Sequence, residues 1–448
     1  MDPRVPSTSE LHFIETQEAG SIQSGLYLEQ VALADVADAF GTPVYVYSTA
    51  ATKRACRALH ALAAPQGVSV CFAVKANSNL SALRILAELG CGMDIVSGGE
   101  LLRAERAGVS GDRIIFSGVG KTADEIEQAL ARDIHQFNVE SAEELHLIAA
   151  IAARSRKKAA VAIRVNPDVD ASTHDKISTG RKGDKFGVDY AKLPDLYEQA
   201  AQMQGIELVG LAVHLGSQIT NLDPFRRGYD RLAQLTKTLR ANGHPVSRLD
   251  LGGGIGIGYD QSTLEPDLGR YFAIISETVG SLGAELTIEP GRYLVGHAGV
   301  LLTEVLGVKE SEGSPLTVVD AGMNDLARPA LYGAFHPVIE LSQCGRPRRR
   351  TKVVGPVCES ADDFGWHNLP ALYRGDRLAF ASAGAYGAVM ASTYNSRALV
   401  PEVLVDGDRF KLVRRRMTVE DMLDLETDSA WSGPIAEKIC PNELVSLK

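Results

Sequence analysis

No apolar run in this sequence approaches the length of a membrane-spanning helix, which argues against a membrane protein. Met1 to Gly20 is polar and acidic and lacks the apolar core of a secretory signal. Positive charge is in deficit: 46 Lys and Arg against 56 Asp and Glu leave a net charge of −10, which argues against a general nucleic-acid binder. The six cysteines, at 56, 71, 91, 344, 358 and 440, form no Cys-x-x-Cys pair. Neither a disulfide framework nor a zinc site is therefore indicated, no metal is expected, and a reducing cytoplasm is the simplest home. Internal repeats and low-complexity tracts are absent. The basic run Arg346 to Lys352 has no interleaved aromatic residues and reads as a solvated turn.

What is present is ordinary for a globular protein of more than one domain: 448 residues, 45% hydrophobic and 23% charged. Residues 1–40 are polar at first and then carry a short helical pattern from Leu33 to Phe40; Val44 to Tyr47 reads as a strand after the Gly41-Thr42-Pro43 break. A rhythm then begins. Strand candidates at 68–75, 92–97, 113–117, 134–140, 160–166, 208–215, 247–252 and 286–290 alternate with helical stretches such as Leu80–Leu89, Ser141–Arg154 and Phe225–Leu239. Such alternation implies parallel βα units, and eight of them over about 250 residues is the size of a (β/α)8 TIM-like barrel. A doubly wound open sheet is the second choice. After Arg292 the texture becomes short apolar strands with glycine-rich connections, among them Val300–Val308, Thr351–Val354 and Arg377–Phe380. The expected organisation is a segment 1–40 that joins a β domain, a barrel over 41–292, and an all-β C-terminal domain over 293–448.

In a barrel of this kind function gathers at the carboxyl ends of the strands. Lys75 closes the first strand, in Ala73-Val74-Lys75-Ala76-Asn77. A primary amine at the edge of a dry core loses the preference for its ammonium form and becomes nucleophilic; a strand-end lysine can also simply reach for solvent. His214 ends strand six, Gly252-Gly253-Gly254 follows strand seven, and Glu289-Pro290-Gly291-Arg292 follows strand eight. The loops after strands seven and eight are where this fold binds phosphate, and three glycines let backbone amides approach an anion. A glycine triplet alone is often only a tight turn. A reactive amine opposite a phosphate pocket suggests pyridoxal 5′-phosphate, with the lysine holding its aldehyde as a Schiff base. Glu289 is the candidate to keep the pyridine nitrogen protonated, or else forms a salt bridge with Arg292. His214 lies against the ring or is a satisfied core histidine.

These motifs carry a family resemblance. Ala73–Asn77, Asp94–Glu100, Phe116–Lys121, Arg164–Pro167, His214–Ile219, Gly252–Gly254, Glu289–Arg292, Asp320–Asn324, Arg328–Tyr332, Gly355–Ser360 and Gly384–Gly387 run in order through nearly the whole chain, from about Gly41 to Leu425. The chain resembles the diaminopimelate decarboxylases, PLP-dependent carboxy-lyases of the alanine racemase-like (fold type III) group. That resemblance implies a PLP-binding barrel plus a β domain, and conversion of meso-diaminopimelate to L-lysine and carbon dioxide. It implies that Lys75 is the Schiff-base lysine, that His214 stacks on the cofactor, that Ser217, Gly252, Gly253, Gly254, Gly291 and Arg292 hold the phosphate, and that Glu289 pairs with the ring nitrogen. Arg292, Arg328, Tyr332, Glu359 and Tyr386 would touch the substrate, with Tyr386 also near PLP. Cys358 would protonate the carbanion, and Cys358 with Glu359 would reach in from the partner of a homodimer. Thr173–Gly187 matches a mobile loop over the site. Ala212-Val213, His297 and Gly333 depart from the family's usual pattern and leave fine substrate preference open.

The residue types suit that chemistry. Two arginines, Arg292 and Arg328, with Tyr332, match a substrate whose far end carries a carboxylate, because the guanidinium fork binds carboxylate bidentately. A polyamine-pathway decarboxylase needs acidic groups there instead. The alternatives are a PLP decarboxylase of another amino acid with a carboxylated tail, and a catalytically silent PLP-binding relative.

Overall fold

The computed structural model describes residues 10–18, 21–170, 185–260, 263–311, 313–343 and 345–427. Most of the expected loop Thr173–Gly187, from 173 to 184, lies outside the described residues.

Eight parallel strands close into a ring: β1 (Val68–Ala73), β2 (Gly92–Ile95), β3 (Ile114–Phe116), β4 (Gln136–Val139), β5 (Ala159–Asn166), β6 (Ile206–Ala212), β7 (Arg248–Asp250) and β8 (Glu285–Ile288). Each pairs with the next, and β8 returns to β1 through Leu286↔Val68 and Ile288↔Val70. The open sheet is thereby excluded. The strands are near-continuous apolar runs because helices cover them on the outside, the usual pattern of a parallel sheet. The helices are held at their N-termini by short polar caps. Ser97, Thr122 and Ser141 each accept a backbone N–H from three residues on, and Thr122 and Glu125 form a reciprocal capping box.

Toward the carboxyl ends the barrel interior turns polar. Asp94 of β2, Asn138 of β4, Arg164 of β5, Asp250 of β7 and Glu289 just past β8 are all buried. Buried polar groups at one end of an otherwise apolar ring mark that end as the working face.

The second unit is a β-sheet domain built on the long strand Gly299–Ser311. The strand Val44–Ser48 lies between Gly299–Ser311 and Glu402–Asp406, so the first barrel element is the helix Thr49–Ala63 that follows it. Its sequence explains the placement. Tyr45 and Tyr47 pack into one apolar cluster and Val44 and Val46 into another, so both faces are covered. As expected, the N-terminal segment joins the β domain: the hairpin Leu11–Glu18 and Ser21–Leu28 pairs with Ser342–Gln343. The two units are stitched together at the Lys75 turn, where Asn77 Nδ2 donates to the Gly384 carbonyl at 3.1 Å and the Tyr386 N–H to the Ala76 carbonyl at 2.8 Å. Among the described residues no helix is long and apolar enough to cross a membrane.

Candidate active site

Strand β1 stops at Ala73, and Val74–Ala76 forms a single 3₁₀ turn that carries Lys75 out of the sheet. The Ala73 N–H donates to the Pro290 carbonyl at 3.2 Å, which locks this turn against the segment after β8. The Lys75 amine lies 3.3 Å from Asp94 Oδ2, on the neighbouring strand at the position paired with Ala73. Burial works against the ammonium, but the neighbouring acidic groups, Asp94 foremost, outweigh it, so the amine is held above its ordinary range. This corrects the expectation that desolvation alone would neutralise Lys75. A buried carboxylate one strand away reverses the sign.

Glu289 sits in a network invisible to sequence spacing. Its Oε1 accepts from Ser117 Oγ at 3.4 Å and from Asn138 Nδ2 at 3.3 Å. Asn138 Nδ2 also donates to Asp250 Oδ2 at 2.7 Å. Burial pushes the Glu289 carboxyl well above the carboxylate range, and Asp250 and Asp94 add repulsion. Burial raises Asp250 as well, relieved by hydrogen bonds from Glu289, Asn138 and the Gly252 amide. Both carboxyls are therefore held above the ordinary carboxylate range, with the stronger push on Glu289. Three buried carboxyls against the Lys75 ammonium leave this end of the cavity short of positive charge.

At the β6–β7 side the His214 Nδ1 accepts the Gly253 N–H at 3.1 Å, which places the imidazole proton on Nε2. Burial and the charges of Lys75 and Arg164 hold the ring well below its ordinary pKa, hence neutral. The Gly252 N–H donates to Asp250 Oδ1 at 3.0 Å. Two amides of the glycine triplet are thus used inside the protein, and Gly254 is the one that lines the cavity. Glycine is required at 253 all the same, because a Cβ there would run into the Glu289 carbonyl.

The two arginines form the opposite wall. Arg292 donates to Tyr259 Oη at 2.5 Å and to Ser217 Oγ at 3.3 Å, and its guanidinium lies 4.7 Å over the Tyr386 ring. Arg328, on the short helix Arg328–Tyr332, donates to His336 Nε2 at 2.8 Å and lies 4.6 Å over the Tyr259 ring. Burial, with Arg328 close by, takes His336 down to about 3, so it accepts as a neutral ring while its Nδ1 donates to the Ala381 carbonyl. Among the described residues neither guanidinium has a carboxylate within ion-pair distance, and the Nε of each is buried without a hydrogen-bond partner.

One cavity of about 470 Å³ brings together Lys75, His214, Ser217, Gly254, Glu289 and Gly291 with Arg292, Arg328, Tyr332 and Tyr386. Gly252 and Gly253 stand behind it. Cys358 and Glu359 do not line it. Cys358 is exposed, its N–H donating to Asn395 Oδ1 at 2.9 Å, and Glu359 accepts from Tyr394 Oη at 2.6 Å. Asp94, Asn138, Arg164, Asp250, Tyr259 and His336 also belong to this site, beyond the residues expected from sequence. The first four each interrupt an apolar strand near its carboxyl end, and that is the signal the sequence carries for them.

Comparison with known proteins bears directly on this geometry. The family model for the pyridoxal-binding domain of pyridoxal-dependent decarboxylases matches residues 50–296. The diaminopimelate decarboxylase of Neisseria meningitidis serogroup A is 46% identical over 398 residues, covering 89% of this chain and 98% of that one. The chain belongs to the diaminopimelate decarboxylase family of pyridoxal-dependent enzymes. A relative of that name from Pseudomonas aeruginosa is 47% identical over 401 residues, covering 89% and 95% of the two chains. The crystal structure of diaminopimelate decarboxylase from Helicobacter pylori complexed with L-lysine superposes with a TM-score of 0.84 at 40% identity, over 88% of this chain and 98% of that one. The cofactor is pyridoxal phosphate, and the residues fit it. The unpartnered Asp94 Oδ1 beside the buried Glu289 carboxyl, and the unpartnered Arg292 Nε beside Gly254, supply a cation-seeking end and an anion-seeking end in one cavity.

A stability prediction follows from Glu289. Its folded pKa lies above the unfolded value of 4.5, so its contribution is complete below that pH and is lost as pH rises through the folded value. In cofactor-free protein, Glu289→Gln should raise the urea midpoint at about pH 7 to 8, with the gain vanishing below about pH 4. Equal midpoints across the range would show that burial of this carboxyl carries no cost.

Proposed function

We infer that this chain catalyses the PLP-dependent decarboxylation of meso-diaminopimelate to L-lysine and carbon dioxide. The single observation that carries the substrate assignment is the pair of buried guanidiniums, Arg292 and Arg328, without a carboxylate partner among the described residues. Leaving two such cations buried is costly unless anionic ligands complete them. A cofactor phosphate satisfies one, and a carboxylate at the far end of the substrate the other. The names of the relatives, and the lysine held by the Helicobacter pylori structure, agree with that chemistry.

When bound, pyridoxal phosphate supplies an electron sink for the carbanion left by loss of carbon dioxide. In this reading the protein's own groups do the rest. Lys75 would hold the aldehyde, with the Asp94 carboxylate 3.3 Å away to position the amine. Glu289, whose carboxyl burial holds well above its ordinary range, would pair with the pyridine nitrogen, where a positive charge would offset the local excess of carboxyls. Neutral His214 would stack on the cofactor, its imidazole kept from rotating by the Gly253 N–H. Ser217, Gly254, Gly291 and Arg292 would hold the phosphate, with Gly252 and Gly253 shaping that corner. Arg328, Tyr332 and Tyr386 would orient the substrate so that its scissile carboxyl stands out of the ring plane.

Cys358 as the proton donor to Cα, and Glu359 as the partner of the distal ammonium, both require a second subunit. Each is tied to the Tyr394–Asn395 turn, Cys358 is exposed, and neither lines its own chain's cavity. We therefore propose a homodimer with shared sites. The compartment we propose is the cytoplasm, since the four cysteines described are free thiols.

Carbon dioxide release from meso-diaminopimelate by purified enzyme tests the assignment. Turnover is expected with this substrate and not with lysine, ornithine or arginine. Release from another carboxylated amino acid but not from this one would overturn it. Arg328→Met should raise KM by roughly 10–100-fold, the equivalent of about 1.5–3 kcal/mol for a charged hydrogen bond. Mixing inactive Lys75→Ala and Cys358→Ala subunits should restore part of the activity, because one of the two sites in a mixed dimer is intact. No recovery after subunit exchange would contradict shared sites.

A further inference from the structure

At the opposite end of the barrel from Lys75, three side chains converge that the decarboxylation does not use. Cys56 and His60 lie one turn apart on the helix Thr49–Ala63. Cys91 immediately precedes Gly92, the first residue of β2. Because the strands are parallel, the residue before β2 and the residue after β1 sit at opposite mouths. The Cys56 and Cys91 sulfurs are 3.4 Å apart, and Cys91 Sγ is 3.5 Å from His60 Nε2. The three donor atoms all lie within 4.8 Å of one another. Both cysteines are fully buried, and His60 is half-buried, leaving an approach from solvent.

We propose that Cys56, His60 and Cys91 form a binding site for a soft divalent cation, with zinc as the type case. Around a tetrahedral zinc, sulfurs at about 2.3 Å and a ring nitrogen at about 2.0–2.1 Å fall roughly 3.5–3.8 Å from one another. The Cys56–Cys91 and Cys91–His60 separations are close to that, and the third pair lies within 4.8 Å, so a modest turn of the side chains would complete the site. Two thiolates, one imidazole and one position open to water is a donor set that selects zinc over magnesium or calcium. Electroneutrality points the same way. Two buried thiolates are unfavourable alone, whereas two thiolates around a dication are neutral as a unit. Metal binding displaces the protons of both thiols. The Arg113 guanidinium, which donates to the Cys91 carbonyl at 2.7 Å, brings a positive charge next to Cys91. The helix supplies two ligands at i and i+4, so occupancy would tie it to the β2 entry and staple the floor of the barrel.

No Cys-x-x-Cys pair marks this site, because Cys91 lies 35 residues from Cys56 and 31 from His60 in the chain. The test uses holoenzyme kept reduced, freed of metal by a chelator, and titrated with cobalt(II) alone. Intense tetrahedral ligand-field bands in the red, beyond the cofactor's absorbance, should rise to one equivalent per chain and be displaced by zinc. Cys56→Ser should abolish them, and His60→Gln should weaken binding by at least about tenfold. Cys358→Ser should leave them unchanged. Should Cys56→Ser fail to fold, the half-buried His60→Gln variant carries the test, as circular dichroism can verify its fold. Absence of the bands, their persistence unaltered in His60→Gln, or air oxidation that removes two thiols in place of metal uptake would each overturn the site.

Discussion

Closure of the ring is the constraint on which the site depends. A turn after β1 and a turn after β8 are more than 200 residues apart in the chain, yet β8 pairs directly with β1. The Ala73 N–H reaches the Pro290 carbonyl, so Lys75 and the Glu289–Arg292 turn cannot separate without unzipping the barrel. Everything else is arranged around that seam. The β domain touches it through Gly384 and Tyr386, which brings Arg328 and Tyr332 over the same cavity. A loop carrying Lys75 could drift; a turn clamped by both neighbouring strand ends holds an amine where a rigid cofactor needs it.

The charge distribution gives the cavity its polarity. Asp94, Asp250 and Glu289 crowd one end, and Arg292 and Arg328 stand at the other. Each group is destabilising in isolation: burial disfavours the charge on Glu289, and the arginines lack carboxylate partners among the described residues. A ligand with a protonated ring nitrogen at one end and a dianionic phosphate at the other relieves both. The stability lost in the cofactor-free protein is thus the counterpart of the affinity gained on binding.

Much of this was legible in the sequence for physical reasons. Buried parallel strands are apolar throughout, so their spacing exposed the barrel, and strand-end positions of Lys75, His214 and Glu289 followed from it. The β domain and its completion by the N-terminus were visible as a change of texture. The strand Val44–Ser48 belongs to that domain's sheet, which a one-dimensional pattern cannot show, because a doubly covered strand reads alike in either setting. What stayed hidden was lateral. That Asp94 stands beside Lys75 depends on strand register, and the register inverts the expected effect of burial on the amine. That Gly252 and Gly253 spend their amides on Asp250 and His214 depends on the conformation of one turn. His336, which orients Arg328, lies eight residues away across a helix end and carried no motif.

The claim beneath all of this is that one particular amine, Lys75, carries the cofactor opposite its anion cradle. Borohydride reduction of the holoenzyme followed by peptide mass mapping reads this directly, since reduction fixes an imine to the lysine that bears it. The pyridoxyl group should be found on the peptide containing Lys75. Its recovery on another lysine, such as the buried Lys121, would contradict the assignment.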